Sequence, residues 1–87
     1  MKTIHKFPLS LREDVTHRLP AGAEIVHVGV DPREEICLWV MLDPSAPKTE
    51  ARRFAILGTG GQIADNLEYR GTVRADPFVW HILEYKA

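Results

Sequence analysis

The stretch from residue 36 to 42, Ile-Cys-Leu-Trp-Val-Met-Leu, is apolar without a break. Read with a period of two, it places Ile36, Leu38, Val40 and Leu42 on one side and Cys37, Trp39 and Met41 on the other. A strand apolar on both faces belongs at the centre of a fold or against a partner. In a chain of 87 residues there is room for one such centre, so the rest of a single domain over residues 1–87 has to be arranged around it. The run is far too short to span a bilayer as a helix.

The neighbouring segments read as further strands, each closed by turn residues. Residues 24–30 alternate, with Val26, Val28 and Val30 on one face and Ile25, His27 and Gly29 on the other. They lead through Asp31-Pro32-Arg33-Glu34 into the apolar run, as a hairpin would. Residues 3–9 and 14–19 read the same way, as do 67–74 and the aromatic, β-branched residues 78–85 after the turn at Asp76-Pro77. Residues 49–57 admit a short helix capped by Thr49 or a strand from Arg52, and the strand agrees with every neighbour. The expected fold is mainly β: a compact antiparallel sheet, sandwich or partly open barrel of six to seven short strands with little or no helix.

Charge removes several function classes. Eleven basic residues stand against twelve acidic ones, a formal net charge of −1, whereas duplex binding draws most of its affinity from a basic excess. Broad nucleic-acid binding is therefore not expected. The start of the chain lacks the apolar stretch of about 7–15 residues found in signal peptides, so a cytoplasmic, non-membrane protein is expected. Its one cysteine, Cys37, lies inside the apolar run and reads as a buried, inert thiol.

Several blocks are familiar in order as well as in composition. The opening Met1-Lys2-Thr3-Ile4-His5-Lys6-Phe7-Pro8-Leu9 resembles the start of a family of small, uncharacterised phage and prophage proteins. So do Leu38-Trp39-Val40-Met41-Leu42-Asp43-Pro44 with Ala46-Pro47, Phe54 leading to Gly58-Thr59-Gly60, and Tyr69-Arg70-Gly71-Thr72-Val73. The resemblance implies a phage origin and a β-rich fold, and it brings no catalytic residue with it. By context, small phage accessory proteins bind or inhibit host machinery, defence systems included.

Enzymatic motifs fail on their own terms. After Gly58-Thr59-Gly60-Gly61 a P-loop needs Lys-Ser/Thr, and Gln62-Ile63 follows; a dinucleotide fingerprint needs glycine where Ile63 stands. A tight turn explains the glycines, with an anion-facing nest of N–H groups as the functional alternative. His5, His17, His27 and His81 have no paired ligand spacing, so no metal and no cofactor is expected. Glu34-Glu35 and Glu13-Asp14 read as solvated acids without matched partners, and Ser10 and Ser45 have no nucleophile-elbow context.

The arginines are the stronger lead. Arg outnumbers Lys seven to four, and its planar fork suits phosphate, carboxylate and interface contacts. Arg70, Thr72, Arg74 and Glu68 are expected on one polar strand face, with Arg52 and Arg53 just before the glycine turn. Together with Thr59, Gly60, Gly61 and the anchor Trp80, these form the candidate ligand- or partner-binding set; Trp39 is expected in the core. Two readings follow. The first is a non-enzymatic binding protein directed at a host protein, with homo-oligomerisation expected through exposed strand edges. The second is a homo-oligomer that sequesters a nucleotide or other small phosphorylated ligand at an Arg/Gly site. A hydrolase built on His81 or His27 ranks below both.

Overall fold

A computed structural model of the chain describes residues 1–10 and 14–86. Seven strands follow one another: β1 (Thr3–Pro8), β2 (Val15–Leu19), β3 (Glu24–Val30), β4 (Ile36–Leu42), β5 (Glu50–Gly58), β6 (Leu67–Ala75) and β7 (Phe78–Tyr85), with no helix among the described residues. They form two antiparallel sheets, β1-β4-β3 and β2-β5-β7-β6. Of residues 49–57, open between helix and strand in the sequence, 50–57 belong to strand β5 and Thr49 precedes it.

Period-two patterning fills the space between the sheets. Ile36, Leu38, Val40 and Leu42 of β4 face Phe54 and Ile56 of β5, Val73 of β6 and Ile82 of β7, with Leu9 and Leu19 closing one side. Phe54, Leu38, Val40 and Ile82 are fully buried. The doubly apolar strand is thus the middle strand of its sheet, as its sequence requires. Its second face points outward and carries Cys37, Trp39 and Met41. Trp39 is therefore not a core residue; its ring lies 5.3 Å from that of His27 on the neighbouring strand. Cys37 is the buried free thiol expected of it, and burial raises its pKa.

Two β-bulges overturn the simple alternation. In β3 the register shifts between Ile25 and His27, so Ile25, Val28 and Val30 pack on the core while Val26 is left 46% exposed. In β6 the shift falls between Tyr69 and Gly71, which makes Arg70 the inserted residue. One extra residue sends everything beyond it to the opposite face. Glu68, Arg70, Thr72 and Arg74 consequently do not share a face. Arg70 turns toward Glu84, while Thr72 pairs with His81 and Arg74 with Val79 on the outer side.

The β3–β4 hairpin turns as its sequence prescribes. Asp31 Oδ1 accepts from the N–H groups of Arg33 and Glu35, both at 2.9 Å, while Oδ2 holds Lys6 Nζ at 2.8 Å. Glu34 takes a left-handed conformation there, φ 65°. β5 and β6 both run antiparallel to β7, so they are parallel to each other. Residues 59–66 must then carry the chain back across β7, from the Trp80 end to the Tyr85 end of the sheet. Where the two sheets meet, β3 lies beside β6 without ladder bonds, and Gly71 lets them close up: a Cβ there would stand 3.1 Å from Val28.

Candidate functional site

The two ends of the sandwich are built from opposite chemistries. At one end stand the start of β5, the end of β7 and the start of β6. Arg52 and Glu84 continue the inward-facing rows of Phe54 and Ile82, so their side chains meet where the apolar core stops. Arg52 donates from Nε to Glu84 Oε2 at 2.6 Å, from Nη2 to Oε1 at 2.9 Å, and from Nη1 to the Ala23 carbonyl at 2.6 Å. The β6 bulge brings Arg70 to the same carboxylate, Nε to Oε1 at 2.9 Å, with Nη2 placed 3.1 Å from Glu68. Burial pushes the Glu84 carboxyl up, but hydrogen bonds and charge from Arg52 and Arg70 outweigh it and hold the pKa below the ordinary glutamate value. The Arg52 pKa is raised by the same bond.

This ion cluster borders an open cleft of about 800 Å³ that also takes in Arg53, Glu50 and Lys86. Arg53 points to the outer face instead, its guanidinium 3.8 Å above the Tyr85 ring and its Nε 2.9 Å from Asp14. Asp14, read from the sequence as an acid without a partner, thus has one; Glu13 lies outside the described residues. Arg52, Arg53 and Arg70 do gather in space, as neighbouring strands would place them. Arg52 and Arg70 nevertheless direct their donors to Glu84, and Arg53 directs one to Asp14, so what gathers is a neutralised ion network with few donors left for an anion.

The glycine turn is elsewhere. Thr59, Gly60 and Gly61 follow the far end of β5, next to Trp80. Gly61 N donates to Gly58 O at 3.1 Å and Gly60 has φ 93°, a four-residue turn that needs glycine at its third position. The donor-rich loop and the arginines therefore do not form one pocket, because the length of β5 separates them. Arg74 joins neither group.

Thr59 takes part in a hydrogen-bonded row that the sequence does not reveal. Thr59 Oγ1 bonds His81 Nε2 at 2.8 Å, His81 Nδ1 bonds Thr72 Oγ1 at 3.0 Å, and Thr72 bonds the Tyr69 hydroxyl at 2.6 Å. Tyr69 and Thr72, three apart, reach each other because the bulge puts them on one face. The row ties Thr59, the first residue of the 59–66 connection, to the outer side of β7. Hydroxyls occupy both ring nitrogens and no carboxylate orients the ring, so the row lacks the acid of a catalytic triad. Among the described residues no group of three His, Cys, Asp or Glu side chains is placed to hold a metal ion.

The other end of the sandwich stays open. Along β7 the inward row runs from buried Ile82 through half-buried Trp80 to Phe78, which is 58% exposed. The Phe78 and Trp80 rings lie 5.5 Å apart at 39°. They form one wall of a cleft of about 440 Å³ whose other wall is Leu9 and Ile36 and whose rim carries Glu34, Glu35 and Asp76. Of the candidate set, Trp80 is the residue placed at this mouth. Glu34 and Glu35 were legible as a solvated patch and Asp76 as part of a turn, but their position beside two aromatic rings depends on how the sheets stack.

A family model described as a domain of unknown function (DUF7352) matches residues 1–87. No curated protein and no solved structure matches the chain. No helix among the described residues is long and apolar enough to cross a membrane.

Proposed function

For a chain that belongs to the DUF7352 family, which brings no activity with it, we propose a non-enzymatic, phage-encoded binding protein that docks on a host protein. The observation that carries this reading is the open end of the sandwich. Apolar side chains pack to the limit of the sheets, and there Trp80 and Phe78 line a cleft, with Phe78 58% exposed. Large aromatics beside a concavity, with a polar rim, are the anatomy of a binding hot spot. The phage origin rests on the resemblance of the opening residues and of residues 38–47, 54–60 and 69–73. Action on host machinery, defence systems included, is the role that such a small accessory protein serves by binding.

Sequestration of a nucleotide or other phosphorylated ligand by a homo-oligomer stands second. Its arginines are present in the 800 Å³ cleft, but Glu84 already accepts from Arg52 and Arg70, so a phosphate would have to compete with a bound carboxylate.

The test is site-directed photo-crosslinking in a bacterial host. A crosslinking residue replaces Phe78 in one protein and Arg74 in another. A discrete host protein joined through position 78 and absent at position 74 supports the reading. Equal crosslinking at both positions, or none at 78, overturns it. Thermal shift with a nucleotide panel checks the second reading, which requires a rise in melting temperature that Arg70→Ala abolishes.

A further inference from the structure

The mouth also has a chemistry. We propose that it accepts an arginine side chain from the docked protein, the guanidinium lying against Phe78 and Trp80 and its charge facing Glu34, Glu35 and Asp76. This rests on the docking reading above and adds the identity of what is docked.

Three observations converge on it. The first is charge. At the opposite end Glu84 and Glu68 have their cations, with Arg52 and Arg70 on Glu84 and Arg70 on Glu68. At the mouth, Glu34, Glu35 and Asp76 line the cleft, and none of them forms an ion pair among the described residues. The second is the wall facing them. Two aromatic side chains line the cavity, and a cation desolvated against an aromatic face is attracted by the ring quadrupole. Guanidinium suits this setting better than ammonium, because it is planar, weakly hydrated and always charged, and it presents a fork of donors to carboxylates. The third is dimension. About 440 Å³ lies toward the small end of ligand sites, roughly 300–1,000 Å³, which leaves room for one long side chain and its flanking backbone.

Tryptophan fluorescence tests the proposal directly. The chain has two tryptophans, so Trp39→Phe leaves Trp80 as the reporter. This protein is titrated with tri-arginine peptide and, separately, with tri-citrulline, which keeps the shape and removes the charge. Tri-arginine is expected to give a saturable change that weakens as salt is raised, and tri-citrulline none. The triple variant Glu34→Gln, Glu35→Gln, Asp76→Asn is expected to weaken tri-arginine binding about tenfold, the combined loss of three exposed charge contacts. An unchanged melting temperature shows that this variant is folded; if it is not, the single variants replace it and each must weaken binding.

Equal binding of tri-citrulline, no saturable response to tri-arginine, or an unaffected triple variant overturns the arginine assignment. The two readings fail separately. A host protein crosslinked at position 78 without any response to tri-arginine sinks the arginine and leaves the docking. No crosslink at 78 removes the docking itself.

Discussion

Arg52 and Glu84, 32 positions apart in sequence, meet in a two-point ion pair with bonds of 2.6 and 2.9 Å, and this pair closes one end of the sandwich. Among the described residues no ion pair closes the opposite end, at Phe78 and Trp80. An ion pair with side-chain exposures of 17% and 8% is costly to break on one side, because the remaining charges keep their desolvation penalty and lose its compensation.

Glu84→Ala should therefore cost about 3 kcal/mol, the low end of the range for breaking a buried pair, since Arg70 is 31% exposed and can regain water. Urea denaturation measures it as a drop in midpoint at unchanged slope. A loss under about 1 kcal/mol would place the pair with ordinary surface ion pairs.

The same carboxylate predicts an acid limb. Its folded pKa is below the ordinary 4.5, so the native state favours the charged form. The stability it supplies is complete above that ordinary value and disappears as pH falls through the lower folded value. Wild-type stability should thus fall on acidification below about pH 4.5, and Glu84→Gln should flatten that slope. Melting temperatures from pH 7 to pH 3 decide it, and parallel curves would argue against a role for Glu84.

Gly71 sits where the two sheets touch. A Cβ there would meet both Cβ and Cγ2 of Val28 at 3.1 Å, and a Cβ cannot rotate out of the way. Gly71→Ala should destabilise by about 1–3 kcal/mol, the usual cost of overpacking, and adding Val28→Ala should recover part of that loss. A double-mutant cycle reads the coupling; strict additivity would mean that the strands simply part.

Glu34 holds φ 65°, a conformation that glycine adopts freely. Glu34→Gly should raise stability by up to about 1 kcal/mol. Thermal unfolding checks this, and a lowered melting temperature would contradict it.

Cys37 is fully buried, and burial raises its thiol pKa. Thiolate is the reactive form, so Ellman's reagent should modify the native protein only at the rate of opening, and the urea-unfolded protein at once. Fast modification of the folded chain would show that the cover over the outer face of β4 is loose.

Strand content was legible because it is a local property. β-Branched and aromatic residues at period two, closed by Asp31-Pro32, Asp43-Pro44 and Asp76-Pro77, mark the strands and turns wherever the chain goes next. The doubly apolar residues 36–42 likewise fixed a central strand and a buried Cys37, since side-chain chemistry alone makes their exposure costly. The arginine cluster was half legible: neighbouring strands bring Arg52, Arg53 and Arg70 together, but nothing local marks Glu84, the carboxylate that two of them bind, which lies 32 positions from Arg52.

Register was beyond reach. Nothing in Ile25-Val26-His27 announces a bulge, and Gly71 within its strand is only a general sign of one, because a bulge is set by what the partner strand offers, and one inserted residue exchanges the faces of all that follow. The Thr59–His81–Thr72–Tyr69 row and the turn of Arg70 toward Glu84 both follow from it. The stacking of the sheets then decided which end received ions and which kept its aromatics open. Sequence set what each residue can do; pairing between distant strands set which residues could do it together.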